Sequence, residues 1–225
     1  MSVSVLAKAD PVLGEWLAKL GPFALERERR TPYQALVKAV VYQQLTAKAA
    51  GTIFGRVKAL FPGQPFPRPE DLLSATDETL RGAGLSRAKV AAVKAISQGV
   101  LDGVVPTPRQ VARLTDEELV LRLTSLRGVG RWTVEMLLIF TLGREDVLPA
   151  TDYGVRKGFA LAYGLPELPT PKELLAHGER WRPHRSLAAL CLWRTLDTSR
   201  ATPAPGAERS TRKAEPRSKK KRRPQ

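Results

Sequence analysis

Apolar residues recur along this chain at three- and four-residue spacing, and no stretch shows the strict apolar–polar alternation of a half-buried strand. The clearest helix start is Thr115-Asp116-Glu117-Glu118, a threonine N-cap with glutamate three residues on, which makes a capping box. Leu119, Val120 and Leu123 follow at helical spacing. This helix is expected to stop near Gly128, a residue that takes positive φ at no steric cost. Val129 is expected to anchor the turn in the core, and Gly130 to let another backbone approach closely. A second helix is predicted from Arg131 through Val134, Met136, Leu137, Leu138, Ile139 and Phe140. It is apolar nearly all round and reads as buried. An earlier stretch repeats the layout: Thr76-Asp77-Glu78-Thr79-Leu80 leads into Arg81-Gly82-Ala83-Gly84, and Val90, Val93, Ile96 and Val100 mark the next helix face. Two helix, Gly-x-Gly, helix units predict an all-α domain built from hairpins, too few and too unevenly spaced for a solenoid.

The remaining elements follow from punctuation. Residues 11–20 predict a short helix. Thr31-Pro32 is an N-cap followed by proline at the first helical position, opening a helix with Leu36, Val37, Val40 and Val41. That pattern breaks at Tyr42-Gln43-Gln44-Leu45, and Thr46 caps a helix through Ile53 and Val57. Proline-rich residues 61–70 and 164–171 read as connectors, and residues 143–151 as a loop delivering Asp152. Residues 153–163 predict a short helix, and the last helix follows Pro183 with Leu187, Leu190, Cys191 and Trp193.

Charge narrows the partner. The net charge is +15, of which the tail from Arg200 carries +8, leaving +7 on residues 1–199. A basic body with a basic tail favours a polyanion, most simply nucleic acid. Residues 200–225, with three Pro before the run Lys219-Lys220-Lys221-Arg222-Arg223, are expected to be a disordered tail adding salt-sensitive affinity. Cys191 is the one cysteine, which excludes internal disulfides, a cysteine-held iron–sulfur cluster and a cysteine-rich zinc site. His177 and His184 show no metal-ligand pattern and read as surface or packing residues. No run reaches transmembrane length and no signal-peptide pattern is present, so an intracellular location is expected: cytoplasmic or nucleoid-associated in a bacterium, nuclear in a eukaryote.

Candidate chemistry concentrates in two places. The N-terminus of the helix after Gly128-Val129-Gly130 presents unpaired N–H groups and the positive end of a helix dipole, which suits a phosphate oxygen. A bare Gly-Val-Gly is equally compatible with an ordinary tight turn between packed helices. Asp152, 22 residues past Gly130, offers a carboxylate for chemistry on whatever the phosphate is attached to. It is also placed to cap the helix from Tyr153, and one residue can do both.

Five segments in order carry a resemblance: Tyr42-Gln43-Gln44-Leu45-Thr46; Gly84-Leu85-Ser86-x-x-Lys89; the hairpin; Asp152-Tyr153-Gly154-Val155-x-Lys157-Gly158; and Arg180-Trp181-x-Pro183-x-Arg185-Ser186 with Trp193. Over residues 30 to 195 the chain resembles a helix-hairpin-helix DNA glycosylase of the 3-methyladenine DNA glycosylase II branch. The resemblance implies two α-helical subdomains within residues 1–199, with the active-site cleft between them. Asp152 matches the catalytic aspartate, which stabilises the cationic sugar as the base departs. Trp132 and Trp193 match base-pocket tryptophans, whose faces suit a cationic alkylated base, and Tyr42 and Gln44 are further pocket candidates. Leu45 matches the wedge that fills the stack when a base is flipped out. The hairpin implies phosphate binding through Gly128, Gly130, Arg131, Trp132 and Thr133. The main-chain carbonyls of Thr124, Leu126 and Val129 match positions that hold a sodium or potassium ion; no other cofactor is implied. Relatives that also cut the strand carry lysine where this chain has Trp132, so a monofunctional enzyme leaving an abasic site is expected, acting as a monomer on damaged double-stranded DNA.

Two departures stand out. Fewer residues precede Thr31 than the N-terminal β domain of some members needs, and His184 replaces an aromatic. Two alternatives stay open: a glycosylase for other damaged or mismatched bases, and a non-enzymatic binder of DNA structure, for which Asp152 and its flanking residues have no use.

Overall fold

The computed structural model describes residues 2–23 and 25–201; the basic tail beyond residue 201 lies outside the described residues. The described chain is all-α, without a strand. In order, α1 spans Ser2–Ala9, α2 Pro11–Leu20, α3 Pro32–Tyr42, α4 Ala47–Ala59, α5 Pro69–Ser74, α6 Asp77–Gly82 and α7 Arg87–Leu101. Then come α8 Pro108–Val111, α9 Asp116–Leu123, α10 Arg131–Met136, α11 Tyr153–Ala162, α12 Pro171–Gly178 and α13 Arg185–Ala201.

Helix starts obey the expected caps. Thr31, Thr46, Thr76 and Thr115 each accept from the N–H three residues on, Thr31 and Thr115 completing capping boxes with Gln34 and Glu118, and Ser86, not singled out as a cap, does the same for α7. The proline-rich stretches hold more helix than their composition suggested. Pro69, Pro108 and Pro171 are first-turn prolines that open α5, α8 and α12. α9 stops at Leu123, earlier than Gly128, so the turn to α10 runs from Thr124 to Gly130. The long buried helix expected after Arg131 is α-helical only to Met136; Leu137–Leu142 form a π-helical turn that ends at Gly143 in the left-handed region.

Two hydrophobic cores result. The first gathers residues 35–147, among them Leu36, Val40, Leu80, Ile96, Leu123 and Ile139, each essentially inaccessible. The second joins the two ends of the described chain: Leu6, Leu13 and Leu17 of α1 and α2 pack with Val155, Leu174, Trp181 and Leu192. Within it, Asp10 caps α2 and accepts from Tyr163 Oη at 2.5 Å and Trp181 Nε1 at 2.9 Å, with His177 Nε2 also 2.9 Å away. His177 is thus a packing residue of a polar cluster, edge-on to Phe159 and Tyr163. Trp193 packs against both cores, which places the junction between them midway along α13.

Candidate active site

Asp152 stands at that junction, at the end of a loop that is fastened along its length. Ser186 Oγ donates to Arg144 O at 2.7 Å and accepts from Val147 N at 3.0 Å, while Arg185 Nε donates to Asp146 Oδ1 at 2.7 Å. The Arg185-Ser186 pair of the sequence motif therefore holds the segment that delivers the aspartate. Asp152 then caps α11: its Oδ1 accepts from Val155 N at 2.8 Å. Two indoles complete its surroundings. Trp193 Nε1 donates to Oδ1 at 2.8 Å and Trp132 Nε1 to Oδ2 at 2.7 Å. Charge-assisted bonds of this length fix both the position and the rotamer of a carboxylate. Gly154 makes the arrangement possible, since a Cβ there would lie 2.9 Å from Trp193 Cδ1 and 3.1 Å from Asp152 Oδ1. Asp152 is only partly buried, so these donors do not seal it from solvent.

Trp132 connects this carboxylate to a cavity of about 270 Å³. One wall is the α3 face Ala35, Lys38, Ala39 and Tyr42; the other is Trp132, Met136, Leu137 and Phe140, with Glu28 and Thr141 at the end. Tyr42 thus lines the cavity with Trp132, as expected. Two other pocket candidates do not. Trp193 stands behind the wall, its ring 5.7 Å from that of Phe140, because its N–H is committed to Asp152. Gln44 is exposed at the turn after α3 with φ of 56° and is absent from the cavity lining. A non-glycine residue in the left-handed region stores of order 1 kcal/mol of strain, and it does so here beside Leu45. Leu45 itself is 39% exposed and therefore no core residue.

The hairpin is tied to this same turn. Gln43 Nε2 donates to Gly128 O at 3.2 Å and to Thr133 Oγ1 at 3.0 Å, and Lys89 Nζ donates to Val41 O and Gln43 O at 2.7 and 2.9 Å. Gly128 takes φ of 81°, and a Cβ there would lie 2.4 Å from Ala92 Cβ. Gly130 behaves otherwise than expected: no other backbone approaches it, and a Cβ there would meet nothing within 4 Å. Open space at the N-cap of α10 is what an incoming phosphate requires. Two of the hairpin residues face elsewhere. Thr133 is 1% exposed, its hydroxyl held by Gln43 and its N–H bonded to Gly130 O, so it presents nothing to a phosphate. The Arg131 guanidinium is bound to Glu117 at 2.5 Å and Glu135 at 3.2 Å, leaving its position at the helix start as its contribution.

Glu28, Lys38 and Phe140 were not singled out as site residues. The spacing of Ala35, Lys38, Ala39 and Tyr42 puts them on one helical face, and so it does for Trp132, Met136 and Phe140, so both walls could be read from Tyr42 and Trp132. Glu28 could not: it arrives from the irregular segment before α3, whose Glu28 N–H donates to Phe140 O at 2.7 Å. Burial pushes the Glu28 carboxyl up, but its bonds to Lys38 and Arg30 outweigh this and hold it below the usual carboxylate range. Glu135 behaves oppositely: burial raises it, Arg131 only partly opposing, and its Oε2 has no hydrogen-bond partner.

The chain as a whole is similar to known proteins. A DNA-3-methyladenine glycosylase from Schizosaccharomyces pombe is 44% identical over 168 residues, covering 75% of this chain and 74% of that protein. The S. pombe 3-methyladenine DNA glycosylase solved in complex with abasic DNA superposes with a TM-score of 0.80 at 38% identity, covering 86% of this chain and 95% of that one. A DNA-3-methyladenine glycosidase from Bacillus halodurans superposes with a TM-score of 0.78 at 34% identity, covering 89% and 91%. The family model described as HhH-GPD superfamily base excision DNA repair protein matches residues 37–183, which include Tyr42, Trp132, the hairpin and Asp152, and the chain belongs to that superfamily.

Proposed function

We propose that this chain, a DNA glycosylase by family, removes cationic N-alkylated bases such as 3-methyladenine from double-stranded DNA, leaving an abasic site. The observation that carries this reading is the carboxylate of Asp152, fixed by the indoles of Trp132 and Trp193, with Trp132 also forming one wall of an aromatic cavity. An alkylated purine carries its positive charge into that cavity. Its C1′–N bond breaks with the electron pair moving to the base, which leaves neutral, so no strong acid is needed. Positive charge develops on the sugar, where the Asp152 carboxylate stabilises it. Water then adds to C1′ and gives up a proton to the carboxylate. The exposed Leu45 fills the space left by the flipped base, and the open N-terminus of α10 at Gly130 takes a backbone phosphate.

Trp132 offers no amine for a Schiff base, so the enzyme is monofunctional. The reading has the chain acting as a monomer. The chemistry runs on the chain's own groups. A sodium or potassium ion on the carbonyls of Thr124, Leu126 and Val129 would add charge near the phosphate; main-chain oxygens are donors such ions accept, although Leu126 O already accepts from Val129 N–H at 3.1 Å. No helix among the described residues is long and apolar enough to cross a membrane.

The test is chromatography of bases released from methylated duplex DNA, with borohydride added in parallel. Release of 3-methyladenine with no trapped protein–DNA adduct supports the reading. No release from any alkylated duplex, or a trapped adduct, overturns it.

A further inference from the structure

The cavity wall holds one pair of opposite charges whose role neither the aromatic residues nor Asp152 explains. Of the side chains that line it, Glu28 and Lys38 are the ones that carry a charge near neutral pH. Lys38 Nζ is hydrogen-bonded to Glu28 Oε1 and lies over the Tyr42 ring, 5.4 Å from its centre. Arg30 Nε donates to the other carboxylate oxygen at 2.7 Å, from outside the cavity lining. The carboxylate is therefore supported from two sides, and the Glu28 main-chain N–H donates to Phe140 O. The pair is only partly withdrawn from water, with the Lys38 side chain 23% and that of Glu28 35% exposed, but it supplies the charge at the edge of a pocket whose other lining is mostly apolar.

We infer that the Glu28–Lys38 pair sets the charge selectivity of the base pocket, Glu28 offsetting the positive charge of a cationic base that Lys38 alone would repel. The inference rests on the reading of the chain as a glycosylase for such bases. Without Glu28, the pocket would hold an uncompensated ammonium over the Tyr42 ring, and a cationic purine entering there would meet like charge in a site only partly screened by water. Without Lys38, the carboxylate would be less compensated and would favour the cation more. The two charges thus push the same equilibrium in opposite directions. A bracing role predicts loss of function from either change.

The experiment measures kcat/KM for excision of 7-methylguanine, a cationic lesion, and hypoxanthine, a neutral one, by the full chain and its Glu28→Gln, Lys38→Gln and doubly substituted forms. Melting temperatures serve to correct each rate for the folded fraction. Glu28→Gln is expected to lower the 7-methylguanine value about tenfold and the hypoxanthine value less. Lys38→Gln is expected to raise the 7-methylguanine value severalfold, and the double variant to return toward wild type. If the natural chain leaves hypoxanthine untouched, the opposite signs on 7-methylguanine alone carry the test. Equal losses in both single variants overturn the inference while leaving the glycosylase reading intact. A natural chain inactive on every lesion overturns both.

Discussion

Asp10 and Asp152 begin helices in the same way and end in opposite employment. Each caps a helix by accepting from the N–H three residues on, and each accepts an indole N–H at under 3 Å. Asp10 is 2% exposed and is further bonded to Tyr163 and paired with His177, inside the second core. Asp152 stays partly exposed at the junction of the two cores, its donors being Val155 N–H and the indoles of Trp132 and Trp193. The local motif is shared, so the motif does not make a catalytic carboxylate. What separates the two is access. Asp10 is sealed by aromatic rings, whereas Asp152 stays partly exposed, one hydrogen bond away from Trp132 of the cavity wall.

The comparison breaks most visibly at Asp10. Asp10→Asn puts an amide among donors that expect an acceptor and should cost about 3–5 kcal/mol of stability, read by denaturant unfolding. Excision per folded molecule should match wild type. The indoles sharpen the contrast. Trp181→Phe should lose about 1.5–3 kcal/mol of stability with no change in excision rate. Trp132→Phe and Trp193→Phe, which keep a ring but lose the N–H to Asp152, should each slow excision about 10- to 100-fold. If all three variants moved stability and rate alike, the distinction between the two carboxylates would collapse.

Gly154→Ala tests the space rather than the bonds. The added methyl presses on Trp193 and Asp152 together, so a roughly tenfold slower single-turnover rate is expected, with a stability cost of about 1–3 kcal/mol. A smaller effect follows from pH. Burial raises Asp10, but its bonds from Tyr163, Trp181, His177 and Leu13 prevail and keep it below its ordinary value of 3.8. A depressed carboxylate contributes stability that is present above 3.8 and is lost as pH falls through its folded value. Melting temperatures between pH 6 and 2 should therefore fall more steeply at the acid end for wild type than for Asp10→Asn. Parallel curves would remove Asp10 from the acid transition.

Much of this was legible in the residues. The Thr-capped starts of α3, α4, α6 and α9 were, because a capping side chain acts on a neighbour three residues away. Thr107-Pro108 and Thr170-Pro171 carry the same cap-and-proline pattern as Thr31-Pro32, yet their proline-rich surroundings masked α8 and α12. Asp152 stands out along the chain by its chemistry and its spacing after the hairpin, whereas Trp132 and Tyr42, which line the cavity, were candidates only through the family resemblance. The indole bridge from Trp193, the burial of Thr133 and the retreat of Gln44 were not legible, since each depends on contacts between distant segments. The π turn at Leu137–Leu142 escaped for a related reason: a run apolar on every side carries no phase to show where the winding changes. Glu28 was the least legible, brought to the pocket by one main-chain bond to Phe140.

The most direct test is the single-turnover rate of base release by Asp152→Asn on a duplex carrying one 3-methyladenine or 7-methylguanine, with DNA affinity measured alongside. The amide keeps the shape and loses the charge, so release should fall by about 10³-fold or more while binding and melting temperature change little. Release within about threefold of wild type at unchanged binding would contradict the assignment of Asp152 as the group that stabilises the departing sugar.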